Sequence, residues 1–239
     1  MRSVLTLTLR EIRQTFLSPI AYAFLVVFVL FTTFMFFRVF WLAETISMAG
    51  FFGLLPLAFA IVIPGITMRT WAEERKQGTM ELLLTAPIEV RHIVLAKFLA
   101  SLTLVLVCLL LTLYVPYTVA AFGDLDPGPV WGGYLGAFFL AATFIAVGMF
   151  LSAFTQDQIV AFLVSVCTLF ALVLVGDNYI QSEFAGGFWG DFFRVLSPTP
   201  HFESIGRGVV DIRDLYYFLG LSGLFLFLNV QVINLRRWR

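Results

Sequence analysis

Residues 69–97 read RTWAEERKQGTMELLLTAPIEVRHIVLAK, a charged stretch set between two long apolar runs. It carries five of the fifteen Lys and Arg residues and four of the fifteen acids of a chain that is 60% hydrophobic. Charge at that density keeps a segment out of hydrocarbon, so the runs on either side cross the bilayer and this stretch does not. Within it, Met80-Glu81-Leu82-Leu83-Leu84 lies between Gly78-Thr79 and Ala86-Pro87 and reads as a short helix. Thr79 suits the N-cap, Glu81 suits the first-turn dipole, and Pro87 ends the helix because it lacks an N–H. Three leucines on so short a helix cannot span a membrane and need a covering surface. The headgroup region, the protein's own helices and a partner docked from the cytoplasm are all open as that surface.

The rest of the composition fixes the class. A chain of 239 residues with 13% charged residues and a mean hydropathy of +0.95 lies outside the soluble range and is an all-α integral membrane protein. Its net charge is zero, which leaves nucleic-acid binding without electrostatic support. Cys108 and Cys167 both fall inside apolar runs, where packing is the expected role and neither a disulfide framework nor a metal site is. No cleavable leader is expected, since the basic residues near the start flank no short apolar core ending in small residues.

Outward from the charged stretch, six apolar runs each approach the roughly 20 residues that cross about 30 Å of hydrocarbon. They cover about 20–41, 51–68, 93–121, 131–154, 159–175 and 215–235. Pro56 and Pro64-Gly65 should kink the second. Residues 123–129, GDLDPGP, form a turn between the third and fourth, and Thr155-Gln156-Asp157-Gln158 makes the fourth and fifth an antiparallel hairpin. Ahead of them residues 3–17 are amphipathic, with Leu5, Leu9, Ile12 and Phe16 on one face and Arg10, Arg13 and Gln14 on another. That pattern predicts a helix lying in the membrane surface, with a water-exposed tail as the alternative. There is no internal repeat, and residues 1–239 read as one membrane domain.

Six spans return the chain to the side it left. Eleven of the fifteen cations fall on the terminal side, against four (Arg38, Arg194, Arg207 and Arg213) on the other. The positive-inside rule then predicts cytoplasmic termini in a bacterial cytoplasmic membrane, with residues 69–92 cytoplasmic as well. Trp41, Trp131, Tyr134, Tyr216 and Tyr217 are expected at the outer interface. The long outer connection, 176–214, is too apolar for a plain loop. Trp189, Phe192, Phe193 and Leu196 repeat at helical spacing, Ser197-Pro198-Thr199-Pro200 interrupts, and Phe202, Ile205 and Val209 resume. Two short helices are expected there, serving as a gate, a docking surface or a cap.

Chemistry of its own is scarce. The span interiors hold almost no ionisable residues, and Arg38 and Lys97 sit near span ends where long stems reach the interface, so an ion-coupled transporter is poorly supported. No Gly-x-x-x-x-Gly-Lys-Ser/Thr phosphate loop is present. His92 and His201 fall on opposite sides and cannot share a site. Anything this bundle moves must be driven by a partner.

The arrangement resembles the membrane subunits of ABC-2 type ABC transporters. The residues that carry the likeness are Glu74-Arg75-Lys76-Gln77-Gly78-Thr79-Met80-Glu81-Leu82-Leu83-Leu84-Thr85-Ala86-Pro87, similar to an E-x-x-x-G-T-x-E-x-L-L-x-x-P pattern after the second span. Within that group His201-Phe202-Glu203, Arg207-Gly208-Val209-Val210-Asp211 and Asp214-Leu215-Tyr216-Tyr217-Phe218 resemble the gliding-motility-type permeases. The resemblance implies two permease subunits above two ABC ATPase subunits, with ATP and Mg bound by the ATPases and no cofactor or catalytic residue in this chain. Glu74, Gly78, Thr79, Glu81, Leu82, Leu83, Leu84 and Pro87 would form a coupling helix seated on the ATPase. It also implies that the second permease can be a paralogue with a large external domain. The function expected is export driven by the ATPase. The alternative is a non-transporting mechanical subunit that passes ATPase motion to an external partner.

Overall fold

Helices that are apolar on every side fold only where no water surrounds them. The computed structural model describes residues 2–43, 46–80, 89–176, 196–209 and 211–237, and all regular structure among them is helical. An amphipathic helix, α1 (Arg2–Leu17), precedes α2 (Pro19–Ala43), α3 (Ala49–Thr67) and its continuation α4 (Arg69–Lys76). Then come α5 (Val90–Leu111), α6 (Tyr114–Ala120), α7 (Pro127–Ser152), α8 (Gln158–Val175), α9 (Pro198–Gly206) and α10 (Ile212–Arg237). Six of these units are long and apolar enough to cross a membrane: α2, α3 with α4, α5 with α6, α7, α8 and α10. The fold is that of an all-α membrane protein.

The bundle is built around α7, which touches α3, α4, α5, α8, α9 and α10. Its sequence explains why. Gly132, Gly133, Gly136, Ala137, Ala141, Ala146 and Ser152 are all buried, and small residues let neighbouring backbones approach where lipid gives no hydrophobic drive to pack. A Cβ on Gly132 would stand 2.4 Å from the backbone carbonyl oxygen of Ile205, so α9 rests directly on this glycine. Interhelical hydroxyls add direction: Thr143 Oγ1 and Ser222 Oγ lie 3.0 Å apart between α7 and α10. By contrast α2, α8 and α10 bury only 22% of their most apolar windows, against 72% for α7, and form the outer ring.

The runs at 51–68 and 93–121 differ from their expected form for reasons of backbone chemistry. The second span does not stop at Met68 but continues as α4 through the charged residues, bent where Ser152 enters the ladder. Ser152 Oγ donates to Met68 O (3.1 Å) and accepts from Trp71 N and Ala72 N (both 3.4 Å), replacing the Ala72-to-Met68 bond of a straight helix. The third run is one span built of two helices, α5 and α6. Pro116 has no N–H to offer Thr112 O, four residues back, and that carbonyl accepts from Val115 N at 2.9 Å and from Tyr134 Oη at 3.0 Å. Tyr134 is therefore buried against α5.

Local caps match the turns read from sequence. Asp126 accepts from Gly128 N at the start of α7, and Asp157 from Ile159 N at the start of α8. In the connection ahead of α10 the segment Ser197-Pro198-Thr199-Pro200 both interrupts and restarts the helix: the chain is helical at Leu196, breaks at Ser197 and begins α9 at Pro198. Ser197 is the N-cap of α9, with Pro198 at the first helical position. Phe202 and Ile205 are buried, whereas Val209 lies past the helix end and is exposed. The helix expected around Trp189–Leu196 lies almost entirely outside the described residues. Tyr217, expected at the interface, is turned inward and donates to Leu196 O at 2.6 Å. It stacks on His201, whose Nδ1 is 2.7 Å from Asp214 Oδ1. Of the cysteines, Cys108 packs in the core and Cys167 is exposed on α8.

Candidate functional site: the α1–α4–α5 junction

The amphipathic α1 packs on the bundle, and its main neighbour is α5. Where they meet, Lys97 leaves the third residue pattern of a span start and turns inward. Its side chain is only 6% exposed, and Nζ lies 2.6 Å from Glu74 Oε1 on α4 and 3.2 Å from Glu11 Oε2 on α1. The same ammonium sits 5.4 Å from the centre of the fully buried Trp71 ring, within cation–π range. Lys97 is thus not a snorkelling residue, because two carboxylates reach it before water does. Removing one partner from such a buried pair strands a charge, which costs about 3–5 kcal/mol.

The residues read as a coupling helix divide at this junction. Glu74 faces Lys97 and belongs to the ion cluster. Gly78 adopts φ +69° just past α4, the left-handed conformation that glycine takes without steric cost, with its N–H on Arg75 O at 3.2 Å. Gly78 is therefore the stop signal of α4. Thr79 Oγ1 donates back to Glu74 O at 3.3 Å, satisfying a carbonyl of the helix just ended. Glu81, Leu82, Leu83, Leu84 and Pro87 lie outside the described residues.

Other members of the junction carry no motif in sequence. Glu11, Trp71 and Ser152 are joined to it only by the fold, and Arg75 Nη1 donates to Ala153 O at 3.3 Å, tying α4 to the end of α7. The signal for Glu11 is its place as the acid of a basic amphipathic helix. Among the described residues no three His, Cys, Asp or Glu side chains gather to hold a metal ion. The arrangement is mechanical: α1, α4, α5 and α7 are locked together at the point where the chain leaves α4 for the segment of Leu82–Leu84.

No curated protein matches this chain. The sequence model of the family described as "ABC-2 family transporter protein" matches residues 40–230, from the end of α2 to within α10 and across the whole junction except α1. A match over that much of the chain, with a six-span helical bundle beneath it, shows that the chain belongs to the ABC-2 family of transporter proteins.

Proposed function

We propose that the chain is the permease of an ATP-driven ABC-2 complex and that a separate ATPase subunit works it through Glu81–Pro87. The observation that carries this reading is the ion cluster of Glu11, Lys97 and Glu74, placed directly ahead of that segment. A push delivered there meets four helices already tied to one another, so it moves them as a body rather than bending a loop. Three leucines flanked by charges in the sequence suit a short helix gripped in a cleft. The excess of cations on the terminal side supports cytoplasmic termini in a bacterial cytoplasmic membrane, where ATP is available. The ATPase partner would supply ATP and Mg; a second permease, identical or paralogous, would complete the path.

The gliding-motility likeness rests on residues that the fold packs into one unit, His201 on Tyr217 and Asp214. The mechanical alternative rests on that sequence likeness. Site-directed cross-linking tests the main reading: Leu83→Cys in membranes holding the ATPase is expected to give an adduct with that subunit. An adduct with lipid alone would sink it. Reconstitution then separates transport from mechanical work, since ATP turnover that moves no cargo favours the latter.

A further inference from the structure

Beneath α1 a cavity of about 740 Å³ opens between α1, the start of α2, the α3–α4 bend and the first half of α5. That is the size of a ligand pocket rather than a packing defect. Its wall has two characters. Leu7, Ile20, Phe24, Ile66 and Leu104 make it apolar, while Arg10 and Arg69 bring guanidinium groups to it. The third cation, Lys97, is committed to Glu11 and Glu74. The other two are not so engaged. Arg69 approaches Glu73 only to 3.8 Å, with its Nε lacking any hydrogen-bond partner, and that carboxylate also accepts from Gln77 at 3.2 Å. Arg10 is exposed and forms no ion pair among the described residues.

Taken together, Arg10, Arg69 and Lys97 balance Glu11, Glu73 and Glu74, so the lining is neutral overall. A free doubly charged phosphate gains little from such a site. A singly charged phosphodiester gains two guanidinium donors, and acyl chains attached to it gain the apolar wall. The cavity also lies against a helix that exposes Leu5 and Leu9, the pattern of a helix that rests where headgroups meet acyl chains. We propose that this cavity binds one membrane phospholipid, with Arg10 and Arg69 holding the phosphodiester and the chains lying along the apolar wall. This is independent of the coupling reading: the lipid fills the space behind α1, whatever drives α4.

Native mass spectrometry of the delipidated full-length chain tests it with four probes: dioleoyl phosphatidylethanolamine, dioleoylglycerol, glycerophosphoethanolamine and inorganic phosphate. The phospholipid is expected to bind at about one per chain, and Arg10→Gln and Arg69→Gln each to weaken it about tenfold, the worth of one charge-assisted contact. Dioleoylglycerol binding as tightly as the phospholipid would overturn the phosphate contacts. Glycerophosphoethanolamine or phosphate binding equally well would overturn the lipid in favour of a free-phosphate site. Should Arg69→Gln disturb the α3–α4 bend, the exposed Arg10→Gln carries the test alone, and wild-type phospholipid affinity in that variant overturns the proposal.

Discussion

Lys97 Nζ lies 2.6 Å from Glu74 Oε1, a contact that joins the second and third spans across 23 residues of sequence at a point almost closed to water. Both groups lost hydration on folding, so the pair is worth most when one member is removed. Lys97→Ala should lower stability by about 3 kcal/mol or more, since it strands Glu11 and Glu74 together. Glu74→Gln should cost less, because Glu11 still reaches the ammonium at 3.2 Å. Chemical unfolding in detergent checks the order; equal losses for the two variants would show that the cluster is not a unit.

Ser152 holds the bend between α3 and α4 with a single hydroxyl. Ser152→Ala removes three hydrogen bonds but lets Ala72 N return to Met68 O, so the net loss should be only about 1 kcal/mol. Geometry should change more than stability. Spin labels at Gln77 and Phe154, both near the junction, should move relative to each other, and an unchanged distance distribution would mean the bend has another cause.

Gly132 carries α9 on its bare backbone. Gly132→Ala sets a methyl group 2.4 Å from Ile205 O, a backbone atom that cannot rotate away, and should cost about 1–3 kcal/mol by overpacking. Gly220, whose added Cβ would meet nothing within 4 Å, is the control and should tolerate alanine. Similar melting shifts in the two variants would sink the contact.

Leu83→Asp should leave membrane insertion intact and release the ATPase subunit, because a carboxylate in a gripping cleft is desolvated without a partner. Co-purification at the wild-type level would remove Leu82–Leu84 as the coupling surface. Glu81→Ala acts through helix-end electrostatics alone and should weaken coupling by only about 0.3–1 kcal/mol.

How much of this was legible in the sequence differs by kind of interaction. Span number and turn positions follow from hydropathy and from Asp126 and Asp157, because both depend on residues close in sequence. Gly78 was likewise readable as punctuation, and its left-handed φ makes it a helix stop. The split at Thr112 was available in Pro116 but hidden by the unbroken apolar run around it. At Ser197-Pro198 the break read from sequence and a cap coincide, and what the sequence could not supply is the long-range contact, Ser197 Oγ donating to Leu172 O at 3.2 Å while accepting from Thr199 N. Lys97 could not be placed from sequence at all: its partners lie 86 and 23 residues away, on elements whose approach is set by α7 and by the packing of α1 on α5.

The latch between Tyr134 and Thr112 has a consequence for how displacement is routed. With the third span jointed at Thr112, a tilt imposed near Lys97 would reach the central helix at the joint, while the short terminal piece, Tyr114–Ala120, stays packed through Val115, Pro116 and Val119. Under the proposed drive the bundle would work as a lever pivoting at Thr112, its far end moved by Tyr134's helix rather than by the rod that is pushed.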